Sequence, residues 1–342
     1  MENQKDRFIG LDVLRSMAIL LVLLRHGQFL LEQQHKNTIV SFLVDRLDGV
    51  VIFFVLSGFL IGSILLKNAS YSFATLKVFF IRRWLRTLPA YAFVLILLLF
   101  LSPKFQVDSW KYACFLQNFV SSKLAFFPES WSLSVEEWFY LSFPILLIVV
   151  ALLFSKKTAY FITIALFLIV PLTLTTLFYE HQSLINKAVL FRLDEIAWGM
   201  LAAGLKYYFP IKWQSFLWKS MIISGILLLV VLLIPNSIFQ AENLQTSKIL
   251  AIIVALSLPF WNSIQLDKFK ILVLNFRKIS DWSYALYLVN LSLVQGFFLK
   301  LFSLNDYSSY VLFWLSSFAF AILLHYGLEK PILNWRNKHF QD

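Results

Sequence analysis

Apolar residues run along this chain in unbroken stretches of roughly 15 to 22 residues, separated by short polar segments. Ten stand out, at roughly 9–30, 49–66, 88–102, 132–154, 158–178, 188–205, 217–234, 248–262, 282–299 and 309–328. A hydrocarbon layer about 30 Å thick takes about 20 helical residues to cross, so the pattern predicts about ten spanning helices. The runs are continuous in Leu, Ile, Val and Phe and lack the alternation of a lipid-facing barrel strand. Helices are the remaining way to satisfy backbone hydrogen bonds in lipid. The stretch Tyr112 to Val120 is apolar but too short to cross, and is expected to be interfacial or re-entrant. The predicted fold is all-α, a polytopic helical bundle. It is expected to form one membrane domain over residues 1–342, with no soluble extracytoplasmic domain, because no flexible linker interrupts it.

Composition agrees and narrows the classes. The 342 residues are 59% hydrophobic and only 14% charged, where a soluble domain is about a quarter charged. The net charge of +11 would suit nucleic acid in a soluble protein; here the apolar fraction assigns it to membrane loops instead, and no nucleic-acid partner is implied. Cys114 is the single cysteine, which excludes a disulfide scaffold. With the N-terminus inside, 19 Lys and Arg fall in inner segments and eight in outer ones, among the latter Arg46 and Lys248. Positive charge favours the cytoplasmic side, so both termini are expected there. The first segment carries Arg15 and Arg25 and no small-residue cleavage site after Gly27, so it reads as a retained helix rather than a removable signal.

Charges within the apolar stretches are the candidate chemistry, since each costs at least about 2.5–3.5 kcal/mol to insert. The first helix carries Asp12, Arg15, Arg25 and His26. Arg15 and His26 are eleven residues apart, which returns them to within roughly 20° of one face, and Asp12 lies within about 40° of it. Asp48, the pair Glu136 and Glu137, and the trio Arg192, Asp194 and Glu195 are expected at the depth of His26 on three other helices. On the inner side, Arg82, Arg83 and Arg86 enter the third helix. Guanidiniums at this spacing suit phosphates; composition alone favours ordinary positive-inside anchoring and contact with anionic lipid headgroups. Pro171 and Pro259 are candidate helix breaks.

Several of these stretches resemble the acyltransferase-3 family of membrane acyltransferases. Leu11-Asp-Val-Leu-Arg15 followed by His26 is similar to its Arg, ten residues, His signature. Phe53-Phe-Val-Leu-Ser57-Gly resembles its second helix, and Arg82-Arg83 with Arg86 and Pro89 its basic segment. Trp131-Ser-Leu-Ser-Val-Glu136-Glu137-Trp138-Phe-Tyr140 with Pro144 is the most specific match. Phe191-Arg192-Leu-Asp194-Glu195 with Gly199, then Ser283-Tyr-Ala-Leu-Tyr287 and Glu329-Lys-Pro331, complete the order, from about residue 7 to 335. Two departures stand out. The family often has a histidine in the ninth segment where this chain has Asn290, which keeps a hydrogen bond but carries no proton near neutral pH. Many members also carry an extracytoplasmic hydrolase-like domain.

The resemblance implies transfer of an acyl group, usually acetyl, from cytoplasmic acyl-CoA to a hydroxyl of an extracytoplasmic carbohydrate, in the bacterial inner membrane. It implies acetyl-CoA or another acyl-CoA as donor, with no tightly bound cofactor and no metal. Arg15, Arg82, Arg83 and Arg86 would hold the donor's phosphates. His26, with Glu136 and Glu137, would be catalytic. Asp12, Asp48, Ser57, Trp131, Tyr140, Arg192, Asp194 and Asn290 would orient groups or bind the acceptor, with Trp131, Trp138 and Tyr140 available to stack on sugar rings. Intramembrane charge also suits a transporter or exporter, or a subunit in which the charges only hold the bundle together.

Overall fold

Each of the ten apolar stretches falls on a helix in the computed structural model, which describes residues 8–67, 73–101, 107–120, 126–181, 185–234, 244–265 and 270–340. The helices are α1 (Ile9–Gln28), α2 (Thr38–Val44), α3 (Gly49–Lys67), α4 (Phe73–Leu101), α5 (Trp110–Ala113), α6 (Ser130–Ala151) and α7 (Lys156–Leu177). They continue as α8 (Leu193–Tyr208), α9 (Pro210–Ser215), α10 (Leu217–Leu233), α11 (Leu244–Ser263), α12 (Lys270–Val289), α13 (Asp306–Leu324) and α14 (Lys330–His339). A π-helical turn, Asn290–Gln295, follows α12, and another, His325–Glu329, follows α13. Among the described residues, seven helical segments are long and apolar enough to cross a membrane. They fall on α3, α4, α6, α7, α11, α12 and α13. The other three apolar stretches form α1, which carries charges, and α8 and α10, which are shorter. Of the charges counted for topology, Lys5, Arg7, Lys104, Lys123 and Lys268 lie outside the described residues.

The charged helix is central. α1 packs against α3, α11, α12 and α13, so its polar groups meet protein rather than lipid, the usual arrangement for ionisable residues at membrane depth. Its Asp12 accepts a hydrogen bond from Ser280 Oγ of α12 at 2.8 Å. α10, by contrast, leaves Ile222, Ile226, Leu229 and Leu233 exposed, as a helix bordering hydrocarbon should.

The most extensive packing joins α3 to α8, and small residues make it possible. A Cβ on Gly58 would run into the carbonyl of Ile196, and one on Gly199 into the carbonyl of Val55. Each helix thus lends a glycine for the other's backbone to lie against, as small residues do between membrane helices.

Two expectations change. α4 begins at Phe73 and runs 29 residues, so Arg82, Arg83 and Arg86 lie within a continuous helix rather than at its mouth. Pro89, Pro144, Pro171 and Pro259 all sit inside helices that continue through them; packed neighbours support the ladder where the missing N–H would weaken it. The segment from Tyr112 does not span: it forms one helical turn and a bend with Phe115 at φ 56°.

Gly199→Leu is expected to destabilise the protein by about 1–3 kcal/mol, the usual cost of overpacking. A lowered melting midpoint in detergent, with α3 and α8 still helical, is the expected reading.

Candidate functional site

Arg15 lines a chamber of about 80 Å³ between α1, α3, α4, α6 and α12. Arg83 and Arg86 of α4 and Glu136 of α6 also face it. Arg83 Nη2 donates to Glu136 Oε2 at 2.9 Å, and its guanidinium lies 4.1 Å above the Tyr140 ring. The second oxygen of Glu136 accepts from Ser57 Oγ at 2.7 Å. Glu137 accepts from Thr87 Oγ1 at 3.2 Å, and the Thr87 carbonyl accepts from Tyr284 Oη at 2.8 Å. Among the described residues Arg15 has neither a hydrogen bond nor an ion pair with the protein. Three guanidiniums therefore face this chamber against one carboxylate, and that carboxylate is already shared between Arg83 and Ser57. Such a space favours an anion.

One turn of α12 joins the chamber to His26. Tyr287 lines the chamber, and three residues on, Asn290 opens the π-helical turn. Asn290 Oδ1 is hydrogen-bonded to His26 Nδ1. The Asn290 amide nitrogen donates to the carbonyls of Leu286, at 2.8 Å, and Tyr287, at 2.9 Å. In the same turn Gly296 N–H reaches back five residues to the Leu291 carbonyl at 2.7 Å. π-helical turns of this kind are frequent at functional sites. Glu129, buried at the start of α6, clamps this turn by accepting from Ser292 N–H at 2.9 Å and Ser292 Oγ at 2.5 Å. Its carbonyl takes the Tyr287 hydroxyl at 2.9 Å.

A second cluster of charge links α3, α8 and α11. Arg192 Nε lies 3.0 Å from Glu195, and Arg192 Nη2 4.0 Å from Asp48. Ser247 Oγ donates to Glu195 at 2.8 Å. Lys248 Nζ donates to Asp194 at 2.6 Å and to the Phe191 carbonyl at 3.0 Å. The Arg192 guanidinium also lies 4.9 Å over the Trp131 ring.

The geometry corrects several expectations. Glu136 and Glu137, expected beside His26, do not bond the imidazole: they bond Arg83, Ser57 and Thr87, and the partner of His26 is Asn290. Arg82 leaves the arginine group, because its Nη1 donates to the Phe340 carbonyl at 2.5 Å and its own carbonyl accepts from Arg336. The next residue on a helix points about 100° away, so adjacent arginines need not share a face. Lys248 and Arg46, counted as outer-loop charges, are buried; Arg46 donates to the Ile234 carbonyl at 2.9 Å. Asp194 is neutralised by Lys248 and so does not face a ligand as a free carboxylate. Trp131 and Tyr140 are buried, and half-buried Trp138 spends its Nε1–H on the Phe115 carbonyl at 2.9 Å; the first two present no face to a sugar ring. Glu129 and Ser292 were not singled out in the sequence, and Lys248 was counted there only as a loop charge. Glu129 sits two residues before Trp131, in a stretch rich in polar residues; its partner lies 163 positions away, and no local pattern signals that contact.

A family model described as an acyltransferase domain matches residues 8–329. A Staphylococcus aureus (strain COL) protein provisionally named an O-acetyltransferase is 34% identical over 175 residues, covering 45% of this chain and 27% of its own length. A Bacillus subtilis (strain 168) protein provisionally named a peptidoglycan O-acetyltransferase is 30% identical over 200 residues, 52% of this chain and 30% of its own. The chain thus spans under a third of the length of these two relatives. A Haemophilus influenzae protein without a stated function is 32% identical over 177 residues, 44% of this chain and 72% of its own. No solved structure is significantly similar to the chain.

Lys248→Met strands Asp194 as a buried anion and is expected to cost about 3–5 kcal/mol. Adding Asp194→Leu removes that anion and should restore most of the loss, read as recovery of the melting midpoint in detergent.

Proposed function

The chain belongs to the acyltransferase-3 family, and from that membership together with the guanidinium chamber we propose that it moves a short acyl group, in the first instance acetyl, from acyl-CoA to a carbohydrate hydroxyl. It is a polytopic membrane protein with bacterial relatives, consistent with residence in the bacterial inner membrane. The observation that carries the reading is Arg15, without a hydrogen bond or ion pair among the described residues, grouped with Arg83 and Arg86 and on the same helix as His26. Eleven residues of helix separate the two by about 16 Å, comparable to the reach of an extended pantetheine arm. The residues act as one membrane unit, with both termini on the cytoplasmic side and the arginines nearer to it.

In this mechanism Arg15, Arg83 and Arg86 hold donor phosphate by charge-assisted hydrogen bonds. Glu136 and Ser57 set the position of Arg83. His26, neutral, takes the proton of the acceptor hydroxyl, whose own acidity is too weak near neutral pH. The hydroxyl oxygen forms a bond to the thioester carbonyl carbon and the carbon–sulfur bond breaks. Coenzyme A leaves as the thiolate and takes up the proton that His26 holds, giving the ester and free thiol. The Asp48, Arg192, Asp194 and Glu195 cluster holds α3, α8 and α11 together on the acceptor side. The names given to the staphylococcal and Bacillus proteins favour an acetyl group and a cell-wall or surface glycan.

Proteoliposomes given acetyl-CoA and a muropeptide or oligosaccharide acceptor are expected to release free thiol in proportion to acylated acceptor. His26→Ala, at equal incorporation, should lower that rate by about 10²–10⁴-fold, the range for a general base; an unchanged rate would overturn the assignment. Release of thiol separates transfer from transport.

Arg15→Met should raise the KM for acetyl-CoA by about tenfold or more, the weight of one hydrogen bond to a charged group. The effect should vanish with S-acetyl-pantetheine, which lacks the nucleotide phosphates. An equal effect on both donors would mean that Arg15 does not bind phosphate.

A further inference from the structure

The side-chain amide of Asn290 is fully buried and its orientation is fixed by the backbone beneath it. An amide nitrogen has two hydrogens, and here they meet two acceptors, the carbonyls of Leu286 and Tyr287. The reversed orientation would set Oδ1 against both carbonyl oxygens, with no proton between them. Oδ1 therefore faces His26, and an amide oxygen can only accept. The hydrogen shared between Asn290 and His26 must then belong to His26 Nδ1.

A neutral imidazole carries one N–H and one bare nitrogen. We propose that Asn290 is a positioning residue that holds His26 as the Nδ1–H tautomer, so that Nε2 is the nitrogen that accepts the acceptor hydroxyl's proton. The inference rests on His26 as the base and adds which nitrogen acts and what fixes it. Among the described residues His26 Nε2 has no hydrogen-bond partner of its own, so it is unoccupied for a hydroxyl. An acidic partner is the usual device for setting a catalytic tautomer. Here a neutral amide does the same, without adding a second charge to the membrane interior. The π-helical turn is part of it, since Asn290 stands where α12 gives way to wider winding and Glu129 pins that turn through Ser292.

The direct test is the ¹⁵N spectrum of the intact protein in lipid, labelled at histidine. The chain has five histidines, and His26→Ala identifies the His26 signals by difference. Wild-type protein near neutral pH should give a protonated Nδ1 and an unprotonated Nε2 at His26. The reverse pattern would overturn the proposal whatever the activity. Asn290→Leu, similar in size and unable to accept, should lose the fixed tautomer and lower acyl transfer by about 10²-fold. Asn290→Asp in its acid form can donate its hydroxyl to one of the two carbonyls while its other oxygen accepts from Nδ1–H, and it should keep the wild-type tautomer with more turnover than Asn290→Leu. Wild-type tautomer and rate in Asn290→Leu would also overturn it. Full acyl transfer by His26→Ala alongside the expected spectrum would instead defeat the assignment of His26 as base, so the two failures are distinguishable.

Discussion

Charge in a low-dielectric bundle has to be surrounded by protein that answers it, and most of the organisation of this molecule follows from that constraint. α1 carries Asp12, Arg15, Arg25 and His26 and cannot face lipid at a reasonable cost. It sits at the centre, and its neighbours bring what each group needs: Ser280 to Asp12, Asn290 to His26. Among the described residues Arg15 is the exception: the chamber it faces holds two further guanidiniums and the single carboxylate of Glu136, which bonds Arg83 and Ser57. Arg83, Arg192 and Lys248 each have a carboxylate partner, and Arg46 and Arg82 a backbone carbonyl.

The remaining charges divide by the same rule. Lys248 with Asp194 and Arg192 with Glu195 are answered within the protein. Such clusters hold helices in register, with breakage costing more than formation gains. Their likeness in sequence to the functional charges is complete, since each is an acidic or basic residue in an apolar run. Partnering in space tells them apart.

α12 connects the two halves of the site. Tyr287 on one turn lines the chamber and Asn290 on the next holds the imidazole, while Glu129 ties the start of α6 to both through Tyr287 and Ser292. The family match covers residues 8–329, so it includes every helix that lines the chamber and the turn that holds Asn290.

The sequence by itself determined the class of fold and the location of the helices, because long apolar runs in a membrane admit only helix. All ten runs fall on helices, and Arg15 and His26 were legible as a pair because helical spacing is local arithmetic. Helix limits were less so: the length of α4 depended on neighbours that accept its arginines, and the prolines did not break their helices because packing supports them. Which charges belong together was not legible. Glu136 reaches Arg83 across 53 positions, Lys248 reaches Asp194 across 54, and His26 reaches Asn290 across 264. Pairings at that separation depend on which helices become neighbours, which hydrophobicity along the chain does not encode. Tertiary packing therefore decided that the glutamates serve an arginine, and that an asparagine serves the histidine.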